Sequence, residues 1–188
     1  MKKVTFLIVT VLVFGVANLA NAVVPVDKKK ASHGLNIEIP THAMIALAGP
    51  SSKEIDFEAN AADVAGDKVS FSQKNETTLW LNYSSLVTED NSNTISAEIT
   101  EVPDGLTIEV AVSNAASGNK KGHTGKGYKK ALTTDGVQVV DDIKTCYTGT
   151  GENNGHELVY SVSADESKYD EIVADSHHLT VTYTITEK

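Results

Sequence analysis

The sequence predicts an all-β chain: an antiparallel, immunoglobulin-like β-sandwich of about nine or ten strands with minimal helix. Three observations carry this. Apolar residues recur with period two along most of the chain, the alternating segments are rich in Val, Ile, Thr and Tyr, and clusters of Gly, Pro, Asn and Asp punctuate them at short intervals. Strands of that number with almost no helical periodicity have one stable way to bury their apolar faces, two sheets packed against each other.

The first segment stands apart. Residues 1–22 read as a secretory signal peptide: Lys2 and Lys3 form a positive start, residues 4–16 are almost wholly apolar, and Ala20, Asn21 and Ala22 supply the small residues of an A-x-A cleavage site. The apolar run is shorter than the roughly 20 residues a membrane-spanning helix needs. Cleavage after Ala22 would remove 22 of 188 residues and two lysines, leaving 166 residues and moving the net charge from -9 to -11. The expected location is extracellular, at the cell surface or in a periplasm. Residues 23–34 follow as a flexible arm holding Lys28, Lys29 and Lys30, and residues 35–188 as a single β-sandwich domain.

Within that domain the alternation begins at Leu35, Ile37 and Ile39. Met44 to Leu47 is a short apolar run. Ile55 and Phe57, then Val69 and Phe71, alternate with charged or polar neighbours. Leu79, Trp80, Leu81 and Tyr83 make the most apolar strand. Ile95, Ala97 and Ile99 follow, then Leu106, Ile108, Val110 and Val112, a short strand at Val137 to Val140, then Leu158, Tyr160 and Val162. Leu179, Val181, Tyr183 and Ile185 close the chain against Thr180, Thr182, Thr184 and Thr186. Residues 61–64 and 167–174 are the two short stretches with helical character. A lipid-facing barrel does not fit, because the outward positions are Thr, Ser and Glu and the aromatics form no girdles.

Composition excludes some functions. An acidic chain lacks the basic surface that replaces phosphate counterions, so nucleic acid is not an expected partner. One cysteine, Cys146, leaves no intrachain disulfide and no Cys-rich zinc site. Cys146 and His156 stand ten apart across a Gly-rich loop, but no third orienting group frames them as nucleophile and base. His177 and His178 are adjacent and would point to opposite faces of a strand, with His33, His42 and His123 elsewhere. Three acidic or Asn-rich loops offer calcium-type oxygens (residues 89–93, 141–142 and 152–154) without a calcium-loop pattern. Trp80 and Tyr83 fall on opposite faces of one strand, which argues against a shared sugar platform. The stretch 118–130, GNKKGHTGKGYKK, holds five lysines and no acid; it fails the spacing of a phosphate-binding loop and reads as a mobile hairpin loop. No catalytic, metal or cofactor residue is therefore assigned, and the chain is not expected to be an enzyme.

The leader together with the terminal strand LTVTYTITEK resembles secreted fimbrial or spore-coat-U-type subunits. The resemblance implies an incomplete sandwich in which that last strand pairs, and assembly through neighbouring subunits. The chain departs from chaperone–usher pilins in having one Cys where they carry a pair. The pieces TLWLNYSS, VPDGLTIEVAVS and CYTGTGENNGHELVYSVS are similar to segments of secreted bacterial proteins without an assigned function. The expectation is an exported, non-catalytic structural or adhesive surface protein, a filament subunit assembling through strand exchange with itself or a related subunit, with no membrane insertion after leader cleavage. The competing expectation is a secreted carbohydrate- or calcium-binding module. Residues 23–39 are the expected means of association.

Overall fold

A computed structural model describes residues 29–188; the leader and residues 23–28 lie outside the described residues. The described residues form eleven strands and one short 3-10 helix, and the strands pair antiparallel throughout. The strands are β1 (His42–Ala48), β2 (Phe57–Asn60), β3 (Ser70–Gln73), β4 (Leu79–Leu86), β5 (Asn93–Ile99), β6 (Leu106–Val112), β7 (Lys121–Gly127), β8 (Lys129–Ala131), β9 (Val137–Tyr147), β10 (His156–Ala164) and β11 (Val181–Glu187). The 3-10 helix is Glu166–Glu171, with the Asp165 carboxylate accepting from the Ser167 N–H at its start.

The order β11-β5-β9-β4-β10-β6-β8, with β1 added on β4 and β7 on β9, folds into two facing layers. One holds β1, β4, β10, β6 and β8; the other holds β11, β5, β9 and β7. They are joined where Ser84 and Ser85 pair with Tyr147 and Cys146. Between them lies one core: Leu79, Leu81 and Tyr83 of β4, Ile108, Val110 and Val112 of β6 and Leu158 of β10 against Ile95, Ala97 and Ile99 of β5 and Val139, Val140, Ile143 and Cys146 of β9. The result is an all-β, sandwich-like architecture, as the alternation dictates. The β2–β3 hairpin forms a separate two-stranded sheet. It is tied down by an ion pair between Lys68 and Glu166 and by the Val69 N–H donating to the Tyr169 hydroxyl at 2.9 Å.

Four expectations change. The stretch 118–130 is not a mobile loop; it forms β7 and β8. Its glycines make that possible. Gly122 and Gly125 have φ of 79° and 68°, and a Cβ on either would stand 2.2 or 2.3 Å from a β9 carbonyl oxygen. β9 runs on from Val140 to Tyr147, because a bulge hides its periodicity. Asp142 takes a left-handed φ of 56°, the ladder to β5 shifts register, and the adjacent Val139 and Val140 are both fully buried. Finally, Leu35, Ile37 and Ile39 alternate but belong to no strand. Residues 61–64 are not helical.

Candidate functional site

Cys146 and His156 both end up buried, but not as a nucleophile–base pair. The imidazole is fully buried and engaged on both sides. Nδ1 donates to the Ser113 carbonyl at 2.6 Å, which leaves Nε2 to meet the Tyr83 hydroxyl at 2.7 Å. The Tyr83 hydroxyl also contacts the Thr124 carbonyl, and its ring stacks on the imidazole at 5.5 Å between centroids. Burial holds the His156 pKa below its ordinary value, opposed by the hydrogen bonds to the carbonyls of Ser113 and Thr124. Burial also pushes the Cys146 thiol up to about 11, so the thiolate a nucleophile needs is scarce. This cluster ties β4, β7, β10 and the segment after β6 together.

Several of the other polar candidates are held in local contacts. His177 lies 3.8 Å from Glu101, and His123 lies 2.9 Å from Asp142. Asp141 accepts from the Asp142 N–H at 2.8 Å and from the Lys188 ammonium. Asn91 bonds Glu187 and Asn93 bonds Ser85, while Asn154 fastens its own loop to Asn82 and Asn119. Among the described residues no three His, Cys, Asp or Glu side chains converge on a metal-sized space. Tyr83 points into the core and Trp80 lies half-buried on the opposite face, so the two share no platform.

What remains is a set of sheet edges. β1, β7, β8 and β11 each pair on one side only. An unpaired edge is a template for another strand, and proteins blunt it with charge and bulges. β7 and β8 are blunted in this way by Lys121, Lys126, Lys129 and Lys130, with positive-φ glycines breaking the ladder. β1 (HAMIALA) has no charged residue, and its Met44 is 69% exposed. β11 carries a single acid, Glu187, at its end. β1 and β11 lie alongside each other with no hydrogen-bonded ladder between them. A cleft of about 210 Å³ opens at one end of this seam, lined by His42, Leu86, Val87 and Glu187.

Ahead of β1, Leu35, Ile37 and Ile39 are 76%, 73% and 71% exposed and make no strand pairing. Largely exposed aliphatic residues in strict alternation have the pattern of a strand, and among the described residues they join no sheet. No family model, curated protein or solved structure matches this chain. Sequence reasoning found the arm residues through their alternation. It missed the asymmetry of the edges, because strand order is not written in any local pattern.

Proposed function

We propose that this is an exported, non-catalytic structural or adhesive surface protein, a subunit that assembles by strand exchange. Residues 35–39 of one copy pair along the unguarded β1/β11 seam of a second copy. One observation carries the reading: an exposed, unpaired apolar alternation precedes a nine-stranded sheet in which, among the described residues, the edge strands β1 and β11 contain no lysine while β7 and β8 do. The leader-like residues 1–22 support export, and the resemblance to fimbrial and spore-coat-U-type subunits points the same way. Main-chain hydrogen bonds would give affinity, and the alternate side chains would set register.

The magnitude is adequate. Burying three aliphatic side chains contributes about 1.5–3 kcal/mol each. That gross gain of roughly 5–9 kcal/mol, with the added ladder, is comparable to the entropic cost of association.

The test is size exclusion with light scattering and negative-stain microscopy of the secreted protein. It is compared with a deletion of residues 23–34 and with Ile37→Asp/Ile39→Asp. Wild type is expected to self-associate with rising concentration. The double substitution should abolish this while shifting the thermal midpoint by less than about 2 °C, since surface changes rarely alter stability by more than about 0.5 kcal/mol. A wild type that stays monomeric at high concentration, alone or with a strand donor from the same cell, overturns the reading. A large fall in midpoint with Ile37→Asp/Ile39→Asp also overturns it, by showing that the segment serves its own sandwich.

A further inference from the structure

Five of the chain's sixteen lysines fall between residues 120 and 130, where there is no acid, and the structure turns this stretch into the exposed edges β7 and β8. Lys129 is paired with Glu109 at 2.7 Å, and Lys120 donates to the Ala115 carbonyl. Among the described residues Lys121, Lys126 and Lys130 make no ion pair; Asp141, opposite Lys126 in the ladder, is held by Lys188. Lys126 and Lys130 both stand over the ring of Tyr128, at 5.3 and 5.8 Å from its centroid, which places the two ammonium groups within about 11 Å of each other. At the other end of β7, Lys121 lies opposite Tyr147, a ring 49% exposed.

Blunting a sheet edge accounts for lysines, but not for two of them gathered on one aromatic ring. Cation–π attraction at an exposed site is worth about 0.5–1 kcal/mol, and the like charges repel. An anionic ligand reaching both ammonium groups would offset that repulsion. A half-buried tyrosine flanked by ammonium groups is suited to a sugar ring that stacks on the aromatic face while its carboxylate or sulfate takes the lysines. At strand rise the two tyrosines are roughly 20 Å apart, a span for a linear polymer rather than a single small ligand. Proteins that hold single-stranded nucleic acid stack successive bases on closely set rings, which this spacing does not provide.

We infer that the exposed side of β7 and β8, from Tyr147 and Lys121 to Lys126, Tyr128 and Lys130, is a binding track for a linear acidic polysaccharide. This site lies on edges other than those proposed for assembly and does not depend on that reading.

Affinity electrophoresis and calorimetry of the full chain with polygalacturonate, dextran sulfate, neutral dextran and a single-stranded oligonucleotide test it. Binding to the two acidic polysaccharides and not to neutral dextran is expected, weakening as salt rises. Lys126→Gln/Lys130→Gln should lower affinity by about tenfold, and Lys129→Gln, whose ammonium is already paired, by less than twofold. Tyr128→Leu should lower it at least fivefold with every charge retained. Tyr147→Ser at the exposed far end provides the same reading if Tyr128→Leu destabilises the fold. Absence of binding at low salt overturns the inference, as does tighter binding of the oligonucleotide. Loss of charge that matters while both ring substitutions are silent also overturns it, by reducing the track to nonspecific attraction. If the lysine substitutions instead abolish self-association and no polysaccharide binds, the face belongs to a second copy and the inference fails.

Discussion

Replacing Tyr83 with Phe tests the buried cluster on which the layers are fastened. The ring stays, so no cavity opens; what leaves is the hydroxyl between His156 Nε2 and the Thr124 carbonyl. Both groups then sit in a dry interior without that partner. The hydroxyl has one proton to give, so one of these two acceptors loses its donor; a buried polar group left unsatisfied costs about 1–3 kcal/mol, and Tyr83→Phe should lose about that much of a typical domain's 5–15 kcal/mol. Urea unfolding followed by the fluorescence of Trp80, the chain's one tryptophan, measures it, with an unchanged m-value because the exposed area is the same. The pH dependence adds a second readout. Burial keeps the folded imidazole of His156 below its ordinary 6.5, so the unfolded chain binds that proton first. Its contribution is therefore complete above about pH 6.5 and drains away as pH falls from there to the folded value, by at most about 1.4 kcal/mol per unit. His156→Phe should be less stable at pH 7.5 yet flatter between pH 6.5 and 5. A Tyr83→Phe loss below about 0.5 kcal/mol, or identical pH slopes with and without His156, would refute the assignment of cohesion to this cluster.

Two further outcomes are expected. Ile108→Asp places a carboxylate inside the β6 stripe and should cost several kcal/mol, enough to unfold much of the population in a thermal melt. Glu109→Gln, on the outer face, should lose no more than the roughly 1 kcal/mol of its exposed pair with Lys129; a reversed ranking would mean the β6 register is wrong. Cys146, with its thiol raised to about 11 against an ordinary 9.0, should react with a disulfide reagent at pH 8 at least about 100-fold more slowly in the native protein than in urea. Comparable rates would show that the thiol is open.

The legible parts of this fold are those where one face alone is wet. β5, β6 and β11 were visible because Ile95, Ala97 and Ile99, or Ile108, Val110 and Val112, strictly alternate with polar residues. β9 is legible only as far as Val140, because its inward residues Val140, Ile143 and Cys146 are spaced by three, across irregularities at Asp142 and opposite Gly122–Thr124. β7 was hidden for another reason: KGHTGKG has no apolar residue and weak strand propensity, and its place in the sheet comes from backbone contact with β9. The candidate assembly site was half legible. The alternation of Leu35, Ile37 and Ile39 is in the sequence, but only the topology reveals that they have no sheet and that β1 is the uncharged edge. His156 could be placed at the head of β10 by its position, whereas its complete burial depends on Tyr83, Ser113 and Thr124, which lie 73, 43 and 32 residues away.

The joint between the layers also dictates an order of events. β4 pairs with β1 locally, but its remaining edge is completed by Tyr147 and Cys146 of β9 and by His156 to Leu158 of β10, more than sixty residues downstream. β5 likewise waits for β11, some ninety residues on. Neither half of the chain can therefore close its own core. Loop-closure entropy must be overcome over long separations before any ladder rewards it, a topology that folds in milliseconds to seconds rather than microseconds. A growing chain of this design stays extensible until nearly its whole length is available. By this topology, the core closes only when the last strand, β11, is available to pair with β5.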